Sequence, residues 1–398
     1  ELLVDGPKRD RLPWVGDLYL AGRGNYCSFF DKPIIQRTLS ALMSDSPTTT
    51  DLCGIIDYSM FWIIALHDYY MQTGDIITLK HNIGNVSEIL TSLRLRQDSN
   101  GLIPTDKTKW LFIDWAPIEK KGYCASLQML FNWTLKVATK LYSFASYDIL
   151  AEQCVLEVNK LSGYCNSYFW SDMNGYYVDN WSENKQGECF SRQTNLLALL
   201  SETSNSEQAE KILDNILCGT KVPEVGTPYM KALELMAIAK YGRTSDMLEK
   251  LKQYWGGMID AGASTFWEGF DISKTGNEHY AFYNRPFGKS LCHAWSSGPL
   301  FLLSQEIFGL IPTAPGWKTF SLNSCNINID WISIRQPTPH GNIEINYNAG
   351  TLSVSFPSGT SFETVDTCGN QIILTGPKQD VISVCPIIKI YFISILKI

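Results

Sequence analysis

Two kinds of helical segment alternate between about residues 30 and 310, and a chain built that way has few architectures open to it. Ser206 to Leu217 places Ala209, Ile212, Leu213, Ile216 and Leu217 at i, i+3, i+4, i+7 and i+8, with Ser204 and Glu207 spaced as a capping box. Such a helix has one apolar face and one wet face. Tyr58 to Leu66 (YSMFWIIAL) and Tyr229 to Ala239 (YMKALELMAIA) are instead apolar almost all round, as a helix is when neighbours cover both its sides. Outer and inner helices, in roughly 11 or 12 stretches, predict two concentric layers rather than a four-helix bundle. The expected fold is mainly α, an α/α toroid.

After Trp317 the period changes to alternation. Ile343, Ile345 and Tyr347 face one way in NIEINYN, Leu352, Val354 and Phe356 in TLSVSFP, and Asn348-Ala349-Gly350 supplies a turn. With SFETV and QIILT following, this predicts a small C-terminal β-sandwich. Pro312 to Pro315 cannot continue a helix, so the expected domains are 1–316 and 317–398. The apolar end, Ile387 to Ile398, reads either as a last strand or as a sequence scar.

Composition narrows the partners. A chain of 398 residues with net charge −7 and no basic run offers no face for phosphates, so nucleic acid is not expected. Its apolar stretches fall short of the roughly 18 residues that span a bilayer, so no membrane partner is expected either. Eleven scattered cysteines without a CxxC pair predict mostly buried thiols. Sequons at Asn85, Asn132 and Asn180 leave the compartment unassigned, with a lean to the cytoplasm; the chain starts at Glu1 and reads as a processed or truncated product. His67, His81, His279, His293 and His340 lack HExxH or HxH spacing, so neither a metal nor another cofactor is expected.

Two clusters carry chemistry. In DGPKRDRLPWVGD, two prolines and two glycines force a loop that holds Asp5, Asp10 and Asp17 among Lys8, Arg9 and Arg11. Trp14, between Pro13 and Val15, reads as a buried pocket wall, while a solvated loop is the plainer alternative. In WGGMIDAGASTFWEGFD, Glu268 stands beside Trp267 with further aromatic residues around it, a setting that fixes a carboxylate against an apolar sugar face. Glycoside hydrolysis needs one protonated and one ionised carboxyl group, and Asp10 with Glu268 are the candidate pair. In FIDW, which follows a turn and precedes an expected helix, Asp114 either binds hydroxyls or caps that helix, and Trp115 can stack. His293 lies between apolar neighbours, where a structural histidine is the usual outcome.

DGPKRDRLPWVGD, VGTPYMKALELMA, YWGGMIDAGASTFWEGFD and SLCHAWSSGP, in this order, resemble successive motifs of the α-L-rhamnosidases of glycoside hydrolase family 78. The resemblance implies an (α/α)6 barrel followed by a C-terminal β-sandwich, with further β-domains usual in front of the barrel. It implies an inverting hydrolase of terminal α-L-rhamnosides with Asp10 as general acid and Glu268 as general base. Asp5, Arg9 and Asp17 would hold the sugar, and Trp14, Asp114, Trp115, Trp267 and His293 would line the pocket. After WVGD the stretch LYLAGRGNYCSFF departs from the relatives' pattern, which leaves the start of the first barrel helix open. Another α/α-barrel glycosidase or lyase, and an inactive carbohydrate-binding remnant, stay open beside the rhamnosidase reading.

Overall fold

A computed structural model of the chain describes residues 1–45, 50–219, 222–322, 330–348, 351–365 and 371–383. The helices are α1 (Val15–Tyr26), α2 (Lys32–Asp45), α3 (Ile56–Thr73), α4 (Ile76–Arg94), α5 (Ala125–Phe144), α6 (Asp148–Phe169), α7 (Arg192–Leu200), α8 (Ser206–Ile212), α9 (Pro228–Lys240), α10 (Thr244–Leu251), α11 (Gly257–Asp260) and α12 (Gly298–Phe301). Helices α1, α3, α5, α7, α9 and α12 each touch the next, and α12 returns to α1, so the inner layer is a closed ring. Helices α2, α4, α6, α8 and α10 lie outside it.

Burial explains the two sequence patterns. Ile56 to Leu66 of α3 and every residue of α9 except Lys240 are buried, as expected for inner helices. The one acid in that part of α3, Asp57, is satisfied by the backbone N–H groups of Phe112 and Ile113 at 3.0 and 2.9 Å, and burial pushes its carboxyl up to about 6. The outer α8 buries Ala209 and Ile212. Its capping box is Asn205 with Gln208, one residue beyond the expected Ser204 and Glu207. Helix α1 forms regularly from Val15 into the stretch that departs from the relatives' pattern and ends within it at Tyr26, and all of the helix but Arg23 is buried.

The helical part gives way to two four-stranded sheets. One has the order Lys378–Ser383, Thr351–Phe356, Gly341–Asn348, Trp331–Thr338, all antiparallel. The other has the order Gln371–Thr375, Ser361–Val365, Thr319–Ser321, Ile311–Pro312, with one parallel pairing. Ile343, Ile345, Leu352, Val354 and Phe356 meet Trp317, Phe320 and Phe362 in one apolar cluster, the core of a sandwich. The expected turn at Ala349-Gly350 and the terminal segment 387–398 lie outside the described residues. Among the described residues two side-chain bonds tie the sandwich to the ring: Trp317 donates to Gln72 Oε1 at 2.9 Å, and Gln336 donates to the Tyr26 carbonyl at 2.8 Å. Beside them Gly74 and Gly316, both in the left-handed region, approach so closely that a Cβ on Gly74 would lie 3.1 Å from the Gly316 Cα.

Cysteines are less buried than expected. Among the described residues Cys124, Cys154 and Cys165 are buried, Cys27, Cys53 and Cys218 are half-buried, and Cys189 and Cys292 are exposed. No described helix is long and apolar enough to cross a membrane.

Candidate active site

The loop ahead of α1 docks where the ring closes. Its own bonds shape it: Asp5 N–H reaches the Leu12 carbonyl, Arg9 N–H the Gly6 carbonyl, and Asp10 N–H the Asp5 carboxylate at 3.1 Å. Gly6 is pressed against the segment before α12, where a Cβ would lie 2.7 Å from Ser290 Oγ and 2.9 Å from His293 Nδ1. Only a residue without a side chain permits that approach.

Glu268 is 2% exposed and accepts from three donors. Arg9 donates to it in a bidentate fork, through Nε to Oε1 and through a terminal nitrogen to Oε2, while the Ser290 N–H donates to Oε2 at 2.9 Å. The same guanidinium reaches the carbonyls of Lys8 and Gly288 at 2.7 Å and lies over the rings of Phe282 and Tyr283. Arg11, by contrast, is exposed with positive φ.

Asp17, in the first turn of α1, is buried and 3.0 Å from His293 Nε2. Burial raises its carboxyl above the usual range, against the pull of the His293 hydrogen bond. Asp5 is buried too, and its Oδ1 has no hydrogen-bond partner among the described residues, nor has His293 Nδ1. Asp10, on the same loop, is exposed. Tyr283 gathers the set: Glu268, Arg9, Asp10 and Asp17 all act electrostatically on its phenol, which burial raises.

Aromatic rings form the walls. Trp14 is half-buried and edge-on to Tyr58 at 6.3 Å, Tyr58 to Phe112 at 6.0 Å, and Phe112 to Trp115 at 5.0 Å. Trp115 is 49% exposed and meets Tyr283 edge-on. With Trp110 and Lys120 it borders a cleft of about 430 Å³. Trp267 is buried instead, with the Lys289 ammonium 5.6 Å above its ring; burial pulls that lysine down to about 8. Trp295 donates its indole N–H to the Glu268 carbonyl at 3.0 Å.

Asp114 does not precede a helix; the next one starts at Ala125. Its Oδ1 accepts from Trp115 N–H and Thr227 Oγ1, and its Oδ2 from Gln193 Nε2 and Gly226 N–H. Four donors use the four lone-pair sites of a carboxylate, so Asp114 ties the Trp115 loop to α7 and α9 and has none left for a hydroxyl. Tyr58, Phe282, Tyr283, Ser290 and Trp295 join the site without having been singled out. Ser290 and Trp295 do lie in the quoted SLCHAWSSGP, but the sequence carries no sign of their contacts with Glu268. Among the described residues no group of three or more His, Cys, Asp or Glu side chains is placed to hold a metal.

Residues 1–307 match the family model described as the bacterial alpha-L-rhamnosidase 6 hairpin glycosidase domain, and residues 309–366 match that of the bacterial alpha-L-rhamnosidase C-terminal domain. Among solved structures the chain is similar to a GH78 family rhamnosidase of Bacillus sp. GL1, with 23% identity over 86% of this chain and 36% of that one and a TM-score of 0.73. A rhamnosidase from Klebsiella oxytoca with rhamnose bound is 26% identical over 76% of this chain and 60% of that one, with a TM-score of 0.65. The alpha-L-rhamnosidase of Aspergillus terreus is 16% identical over 96% of this chain and 46% of that one, with a TM-score of 0.75. The chain thus spans less than two thirds of each of these proteins. Among curated proteins none matches it.

Proposed function

Because the chain belongs to the bacterial α-L-rhamnosidase six-hairpin glycosidase family, we propose that it hydrolyses terminal α-L-rhamnosides with inversion at the anomeric carbon. The observation that carries this reading is the meeting of Glu268 with the Asp5–Asp17 loop across the closing seam of the ring, which joins the two acidic clusters in one place. Asp10, on the exposed side, gives its proton to the glycosidic oxygen as that bond breaks. Glu268 takes a proton from the water that attacks C1 from the opposite face. Its Oε1, with a single donor, keeps a lone pair for that water, whereas Oε2 already holds two. Arg9 offsets the charge of a carboxylate shut off from solvent.

Asp5 and Asp17 accept sugar hydroxyls, with His293 orienting Asp17. Trp14 and Trp115 supply apolar surface, and Trp267 backs the Glu268 loop. Asp114 acts as a positioning residue for Trp115. We place the catalytic domain at 1–316 and the β-domain at 317–398. The reading calls for no cofactor.

The test is turnover of an aryl α-L-rhamnoside against the matching α-L-arabinoside, α-D-glucoside and β-D-glucuronide. Preference for the rhamnoside is expected, and turnover of another glycoside alone overturns the substrate class. Proton NMR of the first product should show β-rhamnose; an initial α anomer removes the inverting role of Glu268.

A further inference from the structure

The first residue of α7 carries a charge deep in the fold. Arg192 is 1% exposed, and none of its guanidinium nitrogens lacks an acceptor. Nε donates to the Pro223 carbonyl at 3.1 Å, and the terminal nitrogens donate to the carbonyls of Leu217 at 2.7 Å, Gly219 at 2.8 Å and Val222 at 3.2 Å. One of them also donates to Glu234 of α9 at 2.8 Å. Glu234 is shut off from solvent, accepts from Lys231 at 2.6 Å and has Lys250 of α10 at 3.7 Å. Glu224 closes the circuit by pairing with both Arg192 and Lys231. Burial alone would pull the Lys231 ammonium down, yet Glu234 and Glu224 hold it above its ordinary value, so the cluster stays ionic.

What this cluster grips, residues 217–219 and 222–224, leads directly into the residues that hold Asp114. Gly226 N–H and Thr227 Oγ1 each donate to the Asp114 carboxylate at 2.7 Å, and Thr227 Oγ1 also caps α9 by accepting from Met230 N–H. Gly226 is pressed against the backbone of Trp115, where a Cβ would lie 2.0 Å from the Trp115 carbonyl oxygen. Arg192 itself makes no hydrogen bond to Asp114 or Trp115 among the described residues; the loop stands between them. Buried ion pairs add little net stability, because desolvation offsets their attraction, but a planar guanidinium fixes the direction of every group it holds. What the cluster supplies is placement.

We propose that Arg192 is a positioning residue of the candidate active site: through residues 222–227 and Asp114 it sets where the Trp115 ring stands, and with it how firmly substrate is held. The inference rests on the rhamnosidase reading of that site. There Trp115 offers apolar surface and moves no proton, so a displaced ring weakens the ground state and the transition state alike.

Arg192→Lys keeps a cation opposite Glu234 but cannot span the carbonyls, so the fold should persist while the loop loosens. KM for an aryl α-L-rhamnoside should rise about tenfold, with kcat within about twofold of the unaltered chain. A merely structural loss does the reverse, lowering kcat at constant KM. Hydrogen exchange followed by mass spectrometry needs no turnover: the Trp115 amide, which donates to Asp114, should exchange about tenfold faster. Unchanged exchange there, or a lower kcat at constant KM, overturns the proposal. Gly226→Ala parts the loop from Trp115 without touching the buried charges and should raise KM in the same way; a constant KM in that variant overturns the proposal even where Arg192→Lys does not fold. If the unaltered chain hydrolyses no rhamnoside, the reaction reading falls, and exchange at Trp115 alone decides the positioning.

Discussion

Arg9 grips both carboxylate oxygens of Glu268 across 259 positions of sequence. The pair is mostly dry, with Arg9 at 16% and Glu268 at 2% side-chain exposure, so neither charge can lose its partner cheaply.

Arg9→Met should therefore destabilise the fold by about 3 kcal/mol, because it strands a buried carboxylate. Adding Glu268→Gln should restore most of that loss, since no charge is then left alone. Denaturant unfolding of the two single variants and the double variant measures the coupling, and additive losses would mean that the pair contributes nothing as a pair.

Asp10→Asn should separate leaving groups. A rhamnoside of an acidic phenol departs without a proton, whereas an alkyl rhamnoside needs one, so the loss on the alkyl substrate should be greater by about a hundredfold. Glu268→Gln should damage both alike, because water must be activated whatever departs. Equal losses for Asp10→Asn on the two substrates remove it from the acid role and turn attention to Asp5 and Asp17.

Gly6→Ala places a methyl group where Ser290 Oγ and His293 Nδ1 already stand. The loop must lift, and kcat should fall about tenfold or more while the melting temperature drops only slightly, since misplacement of a fraction of an ångström weighs more on catalysis than on folding. An unchanged kcat would mean that the loop has slack.

Lys289 provides a pH test with a definite sign. Its folded pKa, about 8, lies below the ordinary 10.5, so the unfolded chain holds that proton more tightly and the lysine costs stability below pH 8. The cost fades as pH rises from 8 to 10.5. Lys289→Met should stabilise the protein at pH 7 by about 2 kcal/mol and give no advantage above pH 10.5. A gain that is constant across this range would trace to packing on Trp267 rather than to charge.

The inner helices were legible because covering a helix on all sides removes its polar face, which Tyr58–Leu66 and Tyr229–Ala239 display directly. The capping box slipped by one because Ser204/Glu207 and Asn205/Gln208 have the same spacing, and only the backbone decides which pair closes. In the site, residue types were readable but directions were not. Nothing in DGPKRDRLPWVGD says that Arg9 turns inward while Arg11 and Asp10 face solvent, because that is set by contacts with residues 268 to 288. The surroundings of Asp114 were unreadable for the same reason: its donors Gln193, Gly226 and Thr227 are far along the chain.

Closure of the ring by α1 and α12 also fixes the order in which the site can come into being. A ribosome adds about 5–20 residues per second, so roughly 13 to 52 s separate the emergence of Arg9 from that of Glu268. Throughout that interval Asp17 lacks His293, 276 positions downstream, and Gly6 has no surface to dock on. Nascent chains halted before residue 268 should hold several formed hairpins and no activity at all, which makes the appearance of turnover a clock for the completion of the ring.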